Sequence, residues 1–407
     1  VWNFGRIRVS SGVSGNYTGI GNYDYVSTVN LGTAVLGQTP ANQTSASLAG
    51  GGLVSLDREW ERVYQKNIGL DLAFFDNRLS ATYDYFIKDN KGMLTDVAYP
   101  AVLGATAPKT NSGELNVNGW EAVITWKDHK NDFSYNVSFN ISDTKSLLKH
   151  KEGADTYGAG KNNVNGYPLN SWFLFQTDGY FKDQAEVDAY YAANAAGKEE
   201  MNRVVVGTAS QLRPGDTKRL DLNGDGVITG NGSKTSDLKY MGDANPHYIF
   251  GINLGGSYKG FDLGAFFQGV GKQQIMRSGY LAYPFAVLST NQPTNFEGRT
   301  WTVDNPNAEF PRLTTNSNRA NWNYASNDFM LENNAYIRLK SLIIGYTLPK
   351  SITSRVKLDR VRVYFSGNDL WEATKIKDGY DPEMGETSQN AGYPYYRTLS
   401  FGINVSL

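Results

Sequence analysis

The chain has 407 residues, of which 40% are hydrophobic and 19% charged, with a formal net charge of -1, 43 Gly, 26 Tyr, 8 Trp and no Cys. A mean hydropathy of -0.45 and the lack of any run of about 18 apolar residues exclude a transmembrane helix. The near-neutral charge removes the electrostatic basis for binding nucleic acid, and the absence of Cys excludes both a disulfide framework and a thiolate site.

Read in chain order, the sequence is dominated by alternation of period 2, the mark of strands with one apolar and one polar face. Residues 4–13 are strand-like and the chain opens without Met, so its start reads as a boundary inside a longer protein. Ile68, Leu70, Leu72 and Phe74 alternate with polar or small residues, turn at Asp76, Asn77 and Arg78, and continue as Leu79, Ala81, Tyr83, Tyr85 and Ile87. Trp120, Ala122, Ile124 and Trp126 form the next outward face, followed across a turn at residues 129–132 by Phe133, Tyr135, Val137, Phe139 and Ile141. Tyr248, Phe250, Ile252, Leu254 and Tyr258 pair across Lys259 and Gly260 with Phe261, Leu263, Ala265 and Phe267. Residues 337–348 and 360–366 follow. The chain ends on Leu399, Phe401, Ile403, Val405 and Leu407, alternating with Thr398, Ser400, Gly402, Asn404 and Ser406. This gives roughly ten spanning strands.

The connections alternate in length. Those near Asp76, His129 and Lys259 and over residues 349–359 are short. Those after Val13, Lys88, Ser142, Val270 and Asn368 are long and rich in Gly, Asn, Ser and Thr. Short turns on one side and long loops on the other are the pattern of an all-β, antiparallel transmembrane β-barrel with long extracellular loops, set in the outer membrane of a Gram-negative envelope. Counting residues 172–180 as a spanning strand would break this parity, so residues 143–246 are read as one large external excursion with its own small structure. Within it, residues 183–196 form a short helix with Asp183 as N-cap and Glu186 at the capping-box position. Most outward aromatics read as interfacial girdles. Trp172, Trp301, Trp322, Tyr324 and Trp371, lying in loops, are the candidates for sugar or peptide platforms.

The sharpest local motif is Asp221, Asn223 and Asp225 followed by Gly226. It supplies oxygen ligands at positions 1, 3 and 5 of a calcium loop, with the Val227 carbonyl at position 7. Positions 9 and 12 are Thr229 and Gly232, so the bidentate carboxylate is missing and Asp216 or Asp237 would have to complete the shell. The competing reading is an Asx-rich turn. Either role is structural, and no catalytic cofactor is expected. His129, His150 and His247 are the only histidines, with no zinc spacing among them. Gly269, Gly271 and Lys272 lack the remaining positions of a phosphate loop. Carboxylates such as Asp71 and Glu121 are read as lining the lumen, where charge tunes selectivity. No catalytic constellation is present, so the chain is not read as an enzyme.

Ordered motifs across essentially the whole chain resemble the SusC-like (RagA-like) TonB-dependent transporters of the Bacteroidetes outer membrane. They run from Arg8, Gly12, Gly15 and Asn16, through Trp60 and Arg62, Asn116, Gly119, Trp120 and Glu121, to Thr177, Asp178, Gly179 and Tyr180. Arg213, Gly215 and Asp216 before Asp221 come next, then Gly242, Asn245 and Pro246, Tyr336, Arg338 and Lys340, Ser366, Asn368 and Asp369, and Tyr380, Pro382 and Glu383. The resemblance implies a barrel of about 22 strands, of which residues 1–407 are the C-terminal portion, the plug and TonB box lying outside this chain. It also implies active import of oligosaccharides or peptides. The expected partners are a SusD-like surface lipoprotein, the TonB complex acting through upstream parts, and outer-membrane lipid and lipopolysaccharide. The calcium-like loop is less acidic than is common in that family, and Leu407 stands where Phe is commoner. Two other readings remain at this point: an autonomous enzyme on a small closed barrel, and a secreted, calcium-stabilised glycan-binding β-sandwich.

Overall fold

The computed structural model describes residues 2–26, 29–34, 45–50, 53–55, 58–96, 109–153, 157–194, 211–230, 236–276, 282–285, 294–377, 381–384 and 396–407. Ten strands form one antiparallel sheet in sequence order. They are β1 (Trp2–Asn16), β2 (Glu61–Phe74), β3 (Leu79–Asp96), β4 (Lys109–Lys130), β5 (Phe133–His150), β6 (His247–Tyr258), β7 (Phe261–Lys272), β8 (Tyr336–Thr347), β9 (Arg360–Thr374) and β10 (Thr398–Ser406). Several exceed their alternating cores. β4 spans 22 residues and β5 runs on to His150, so residues 143–150 at the start of the expected excursion continue the strand. Beyond the apolar band the ladder continues in polar sequence, where cross-strand side-chain bonds such as Asn116 to Asp89 at 2.7 Å and Thr95 to Ser112 at 2.8 Å add to the backbone pairing.

The register puts the alternation on two faces. One row across the sheet joins Ile7, Leu70, Tyr83, Ala122, Ile141 and Phe250. A row on the opposite face joins Arg6, Asp71, Thr82, Val123, Asn140, Gly251, Gln268, Arg338 and Glu372. That second row starts near the short-turn end of β1 and finishes near the long-loop end of β8. The strands are therefore staggered along the sheet, the shear that inclined barrel staves require. The apolar face is bare: Ile7 is 73% exposed and Phe401 82%. In water such a face would be an aggregation surface; it suits a wall covered by lipid.

Turn chemistry fixes the register at the short end. Lys259 and Gly260 both have positive φ (46° and 91°), as a two-residue type I′ hairpin demands. Asp76, Asn77 and Asn131 take the left-handed region that Asp and Asn tolerate best. The second turn lies at Asn131 and Asp132, and His129 belongs to β4 itself. On the polar face glycines admit close neighbours. A Cβ at Gly119 would lie 2.3 Å from the Phe86 ring, and one at Gly402 2.4 Å from that of Tyr364.

Among the described residues no strand pairs with the outer edge of β1 or of β10. The two remaining readings of the sequence would each need something further. A β-sandwich needs a facing sheet, and a small autonomous barrel needs β1 to pair with β10.

A second folded body rises at the long-loop end. A three-stranded sheet (Gly160–Asn162, Ser171–Phe175, Leu238–Asp243) and the pair Thr177–Tyr180 with Thr217–Arg219 come from the β5–β6 connection. Helix α1 (Gln184–Ala193) follows the expected cap: Asp183 accepts from the Glu186 N–H, and Glu186 accepts from the Lys182 N–H. It ends at Ala193, with Ala195 and Ala196 outside the described residues. Helix α2 (Ser317–Tyr324) comes from the β7–β8 connection and closes the body. Sequence periodicity had not marked it, because SNRANWNY is polar overall; its cap, Asn316 accepting from the Arg319 N–H, is the signal that marks its start.

Candidate functional site

The polar face of the sheet is a charged wall. Arg6 and Arg8 each donate from Nε to Asp71 at 2.9 Å, and Arg8 also reaches Asp84 at 2.7 Å, so two carboxylates hold two guanidinia across β1, β2 and β3. Arg362 makes a two-point contact with Asp262 on β9 and β7. The expectation for Asp71 and Glu121 holds in placement: both lie on this face. Their situations differ, because Asp71 is bound by arginines whereas Glu121 lines a recess of about 500 Å³ with Arg8, Asp84, Phe86 and Lys88. A wall of this kind can hydrate a passage or seat another polar surface. It carries no reacting pair.

The external body explains the loop aromatics differently from the platform expectation. Ser171–Phe175 (SWFLF) is buried at every position. Phe173, Phe175, Phe181, Val187, Leu212 and Trp322 form one core cluster, and Phe296, Phe310, Tyr324 and Met330 form a second. Trp172, Trp301, Trp322 and Tyr324 are therefore core residues, none more than 8% exposed. Trp371 is half-exposed on the apolar parity of β9, edge-on to Phe267 at 6.5 Å, which is a girdle position. A chain segment this long must bury its largest rings before it can display them.

At the junction of the two helical connections sits a buried cation. The Arg219 guanidinium lies between the Phe175 and Trp322 rings, 3.9 and 4.4 Å from their centroids. It donates to the Asn327 side chain and to the carbonyls of Trp322 and Ala325 at 2.9 to 3.0 Å. Burial pulls it down to about 9, still cationic at neutral pH. Next to it, Asn323 accepts from the Thr217 N–H and donates to Asp216, and the Trp322 indole donates to the Thr217 carbonyl. The turn at Arg213, Pro214, Gly215 and Asp216 is fixed by Pro followed by Gly at φ 88°, as in a type II turn. A Cβ at Gly215 would stand 2.3 Å from the Trp301 ring. Gly215→Ala should therefore lower the stability of this body by at least about 1 kcal/mol, read as an earlier thermal transition; an unchanged transition would contradict the packing described.

The Asp221 loop is closed by its own side chains. Asp221 accepts from the N–H groups of Gly224 and Gly226, Asn223 from Asp225, and Asp225 from Val227, all between 2.7 and 2.9 Å. Asp237 completes it from outside the loop, accepting from Leu222 and Thr229 at 2.8 Å. Asp216 does not join, being committed to Asn323 and the Arg213 N–H. Among the described residues no group of three or more His, Cys, Asp or Glu is placed to hold a metal ion. Amide donors alone account for the loop, while its Asp221, Asn223 and Asp225 oxygens and the Val227 carbonyl keep the order a calcium loop uses.

Two charged clasps tie the loops to the strand tops, and neither was legible from spacing. His247 at the start of β6 bonds Asp143 through Nδ1 at 2.6 Å and Asp243 through Nε2 at 3.3 Å. A His–Asp pair here could suggest catalysis, but both ring nitrogens are engaged by carboxylates, leaving none to activate a nucleophile. The second clasp is Arg338, only 2% exposed in its side chain. It bonds Glu372 and, at 2.8 Å, Asp381, and stands 3.2 Å from Glu383. Lys340 adds contacts to Asp369 and Glu383 at 2.7 and 2.9 Å. Asn334 donates to the Pro382 carbonyl at 2.8 Å, so residues 381–384 are bound down over β8 and β9.

No family model matches the chain. Individual proteins do. The TonB-dependent receptor P3 of Formosa agariphila is 28% identical over 98% of this chain and 39% of its own length. The TonB-dependent receptor SusC of Bacteroides thetaiotaomicron is 24% identical over 86% of this chain and 32% of its own length. The chain thus spans less than half of these relatives. Among solved structures, the RagAB peptide transporter shares the fold with a TM-score of 0.75 at 23% identity, covering 99% of this chain and 41% of that one. The RagAB importer in its open-open state gives 0.76 at 23% identity, over 100% and 40% of the two chains. The matched proteins are named as receptors and transporters. Taken with the staggered two-faced sheet, these matches make the chain similar in sequence to TonB-dependent receptors, SusC among them, and in fold to the RagAB transporter.

Proposed function

We propose that the chain forms part of the wall and mouth of an outer-membrane importer that takes up oligosaccharides or peptides by TonB-dependent transport, beneath a SusD-like surface lipoprotein. The observation that carries this reading is the sheet itself: one bare apolar face, one charged face, and a folded body at the long-loop end. Lipid and lipopolysaccharide cover the first face. The second faces the lumen and the plug, which with the TonB box lies outside this chain. The unpaired edges of β1 and β10 would be prohibitively costly in lipid, so further strands of the same protein complete the barrel. Residues 143–246 act as the large external excursion within it. The test is uptake: deleting the gene should abolish growth on the transported nutrient, and deleting tonB in the same cells should do the same. Growth unaffected by either deletion, on every oligosaccharide and peptide source that induces the gene, would reject import.

Calcium is a structural addition to this reading, held by Asp221, Asn223, Asp225 and the Val227 carbonyl. Millimolar calcium should raise the melting temperature of the external body, and Asp225→Ala should remove the rise. A wild-type protein that melts identically with calcium and with chelator would leave the loop an Asx-rich turn.

A further inference from the structure

The Arg213 turn and residues 300–313 face each other across a groove of about 530 Å³ in the external body. Its lining combines the apolar side chains Leu212, Pro214, Val303 and Leu313 with the guanidinia of Arg213 and Arg312, and includes no carboxylate. Among the described residues neither of these arginine side chains makes an ion pair or a hydrogen bond. Behind them stands a third, Arg319, with Nε 3.5 Å from Asp216 and Nη2 donating to the Gln211 carbonyl at 3.0 Å. Asp216 is fully buried and already accepts from the Arg213 N–H and the Asn323 amide. Three guanidinia therefore share one committed carboxylate, and the two at the groove make no ion pair of their own among the described residues. Burial, and then Arg213 and Arg312, weigh against the Arg319 cation, as crowding of like charge requires. Trp301 also lines the groove. It is 8% exposed, and its indole N–H has no acceptor. Both observations mark a place built to receive acceptor oxygens.

We propose that this groove binds an acidic peptide segment, with a carboxylate held between Arg213 and Arg312 and the neighbouring side chain set against Leu212, Pro214, Val303 and Leu313. The walls favour peptide over glycan. A sugar site displays an aromatic face, whereas the single ring in this lining is more than nine-tenths covered. The inference rests on the import reading for the origin of the peptide as cargo, but its contacts do not depend on transport.

The test uses the full-length receptor in detergent, with labelled Ala–Leu–Ser peptides carrying one central Glu or, in the control, Gln, followed by fluorescence anisotropy. The Glu peptide should bind at least about tenfold more tightly than the Gln peptide, and Arg213→Gln and Arg312→Gln should each weaken it by about 10-fold to 100-fold. Arg213→Lys, which keeps charge without the planar fork, should fall between. Lys182→Gln, which removes a positive charge outside the lining, should bind as wild type. Melting curves of the Arg213 and Arg312 variants should match wild type, because neither guanidinium makes an ion pair or hydrogen bond among the described residues. Equal affinity for the two peptides, or Gln variants that bind normally, would overturn the proposal. So would displacement of the Glu peptide by sulfated or uronate oligosaccharide at lower concentration than by unlabelled peptide. Binding that is lost in the variants, in cells showing no gene-dependent peptide uptake, would count against import while supporting the groove.

Discussion

Replacing Arg219 with Met should destabilise the external body by about 3 kcal/mol while leaving the ten-stranded sheet intact. The side chain is buried, and its removal leaves the Asn327 side-chain oxygen and the Ala325 carbonyl without a donor, while the Trp322 carbonyl keeps only the bond from the Asn327 amide. Each orphaned acceptor costs roughly 1 to 3 kcal/mol. Part of that is returned, because a desolvated charge disappears and Met keeps contact with the Phe175 and Trp322 rings. Arg219→Lys should restore little, since one ammonium cannot span three acceptors while lying flat between two rings. The readout is two-step melting: a low-temperature transition, sensitive to protease, that moves down by several degrees, and a high-temperature barrel transition that does not. A single transition moving as a unit would mean that the body and the sheet fold together, contrary to the separate cores described.

Truncating Arg338 to Ala should cost about 3 to 5 kcal/mol locally and free residues 381–384 from the strand tops. One guanidinium holds Glu372, Asp381 and Glu383 together, and Lys340 alone faces the carboxylates left behind. Removing it leaves like charges crowded in a partly covered site. The expected result is new protease cleavage near residues 377–384 in folded, membrane-embedded protein, suppressed when Glu383→Gln is added to Arg338→Ala because the repulsion falls. Cleavage that matches wild type in the single variant would show that Asn334 and the backbone hold the loop without the clasp.

The strands were legible in the sequence because their physics is local. Alternation such as Leu399, Phe401, Ile403 and Val405 needs only the pleat and two different media, and Lys259 and Gly260 announce a hairpin by their backbone preferences. The cap of α1 was equally local. The interior of the external body was not. Trp322 donates to Thr217 from 105 residues away, and nothing in the run around either residue signals the partner. Exposed-looking aromatics in long loops were therefore read as platforms when they are core. The Arg338 clasp and the His247 clasp share that obstacle, with partners up to 45 and 104 residues away. Arg338, Lys340 and Glu383 stood out in motifs and His247 did not, but the role of each depends on pairing that periodicity does not encode. For the Asp221 loop, spacing singled out a set of oxygens, and the fold shows which amides they serve.

The account stands on β10 and its neighbours being a membrane wall, and the absence of Cys from this chain makes that directly measurable. Single cysteines placed in turn at residues 399–405 of the full-length protein in liposomes, labelled with an environment-sensitive fluorophore, should alternate strictly. Labels at Leu399, Phe401, Ile403 and Val405 should be quenched by nitroxide lipids, and those at Ser400, Gly402 and Asn404 by a water-soluble quencher. Uniform quenching from the aqueous phase at every position would contradict the account, because no lipid would then cover the apolar face.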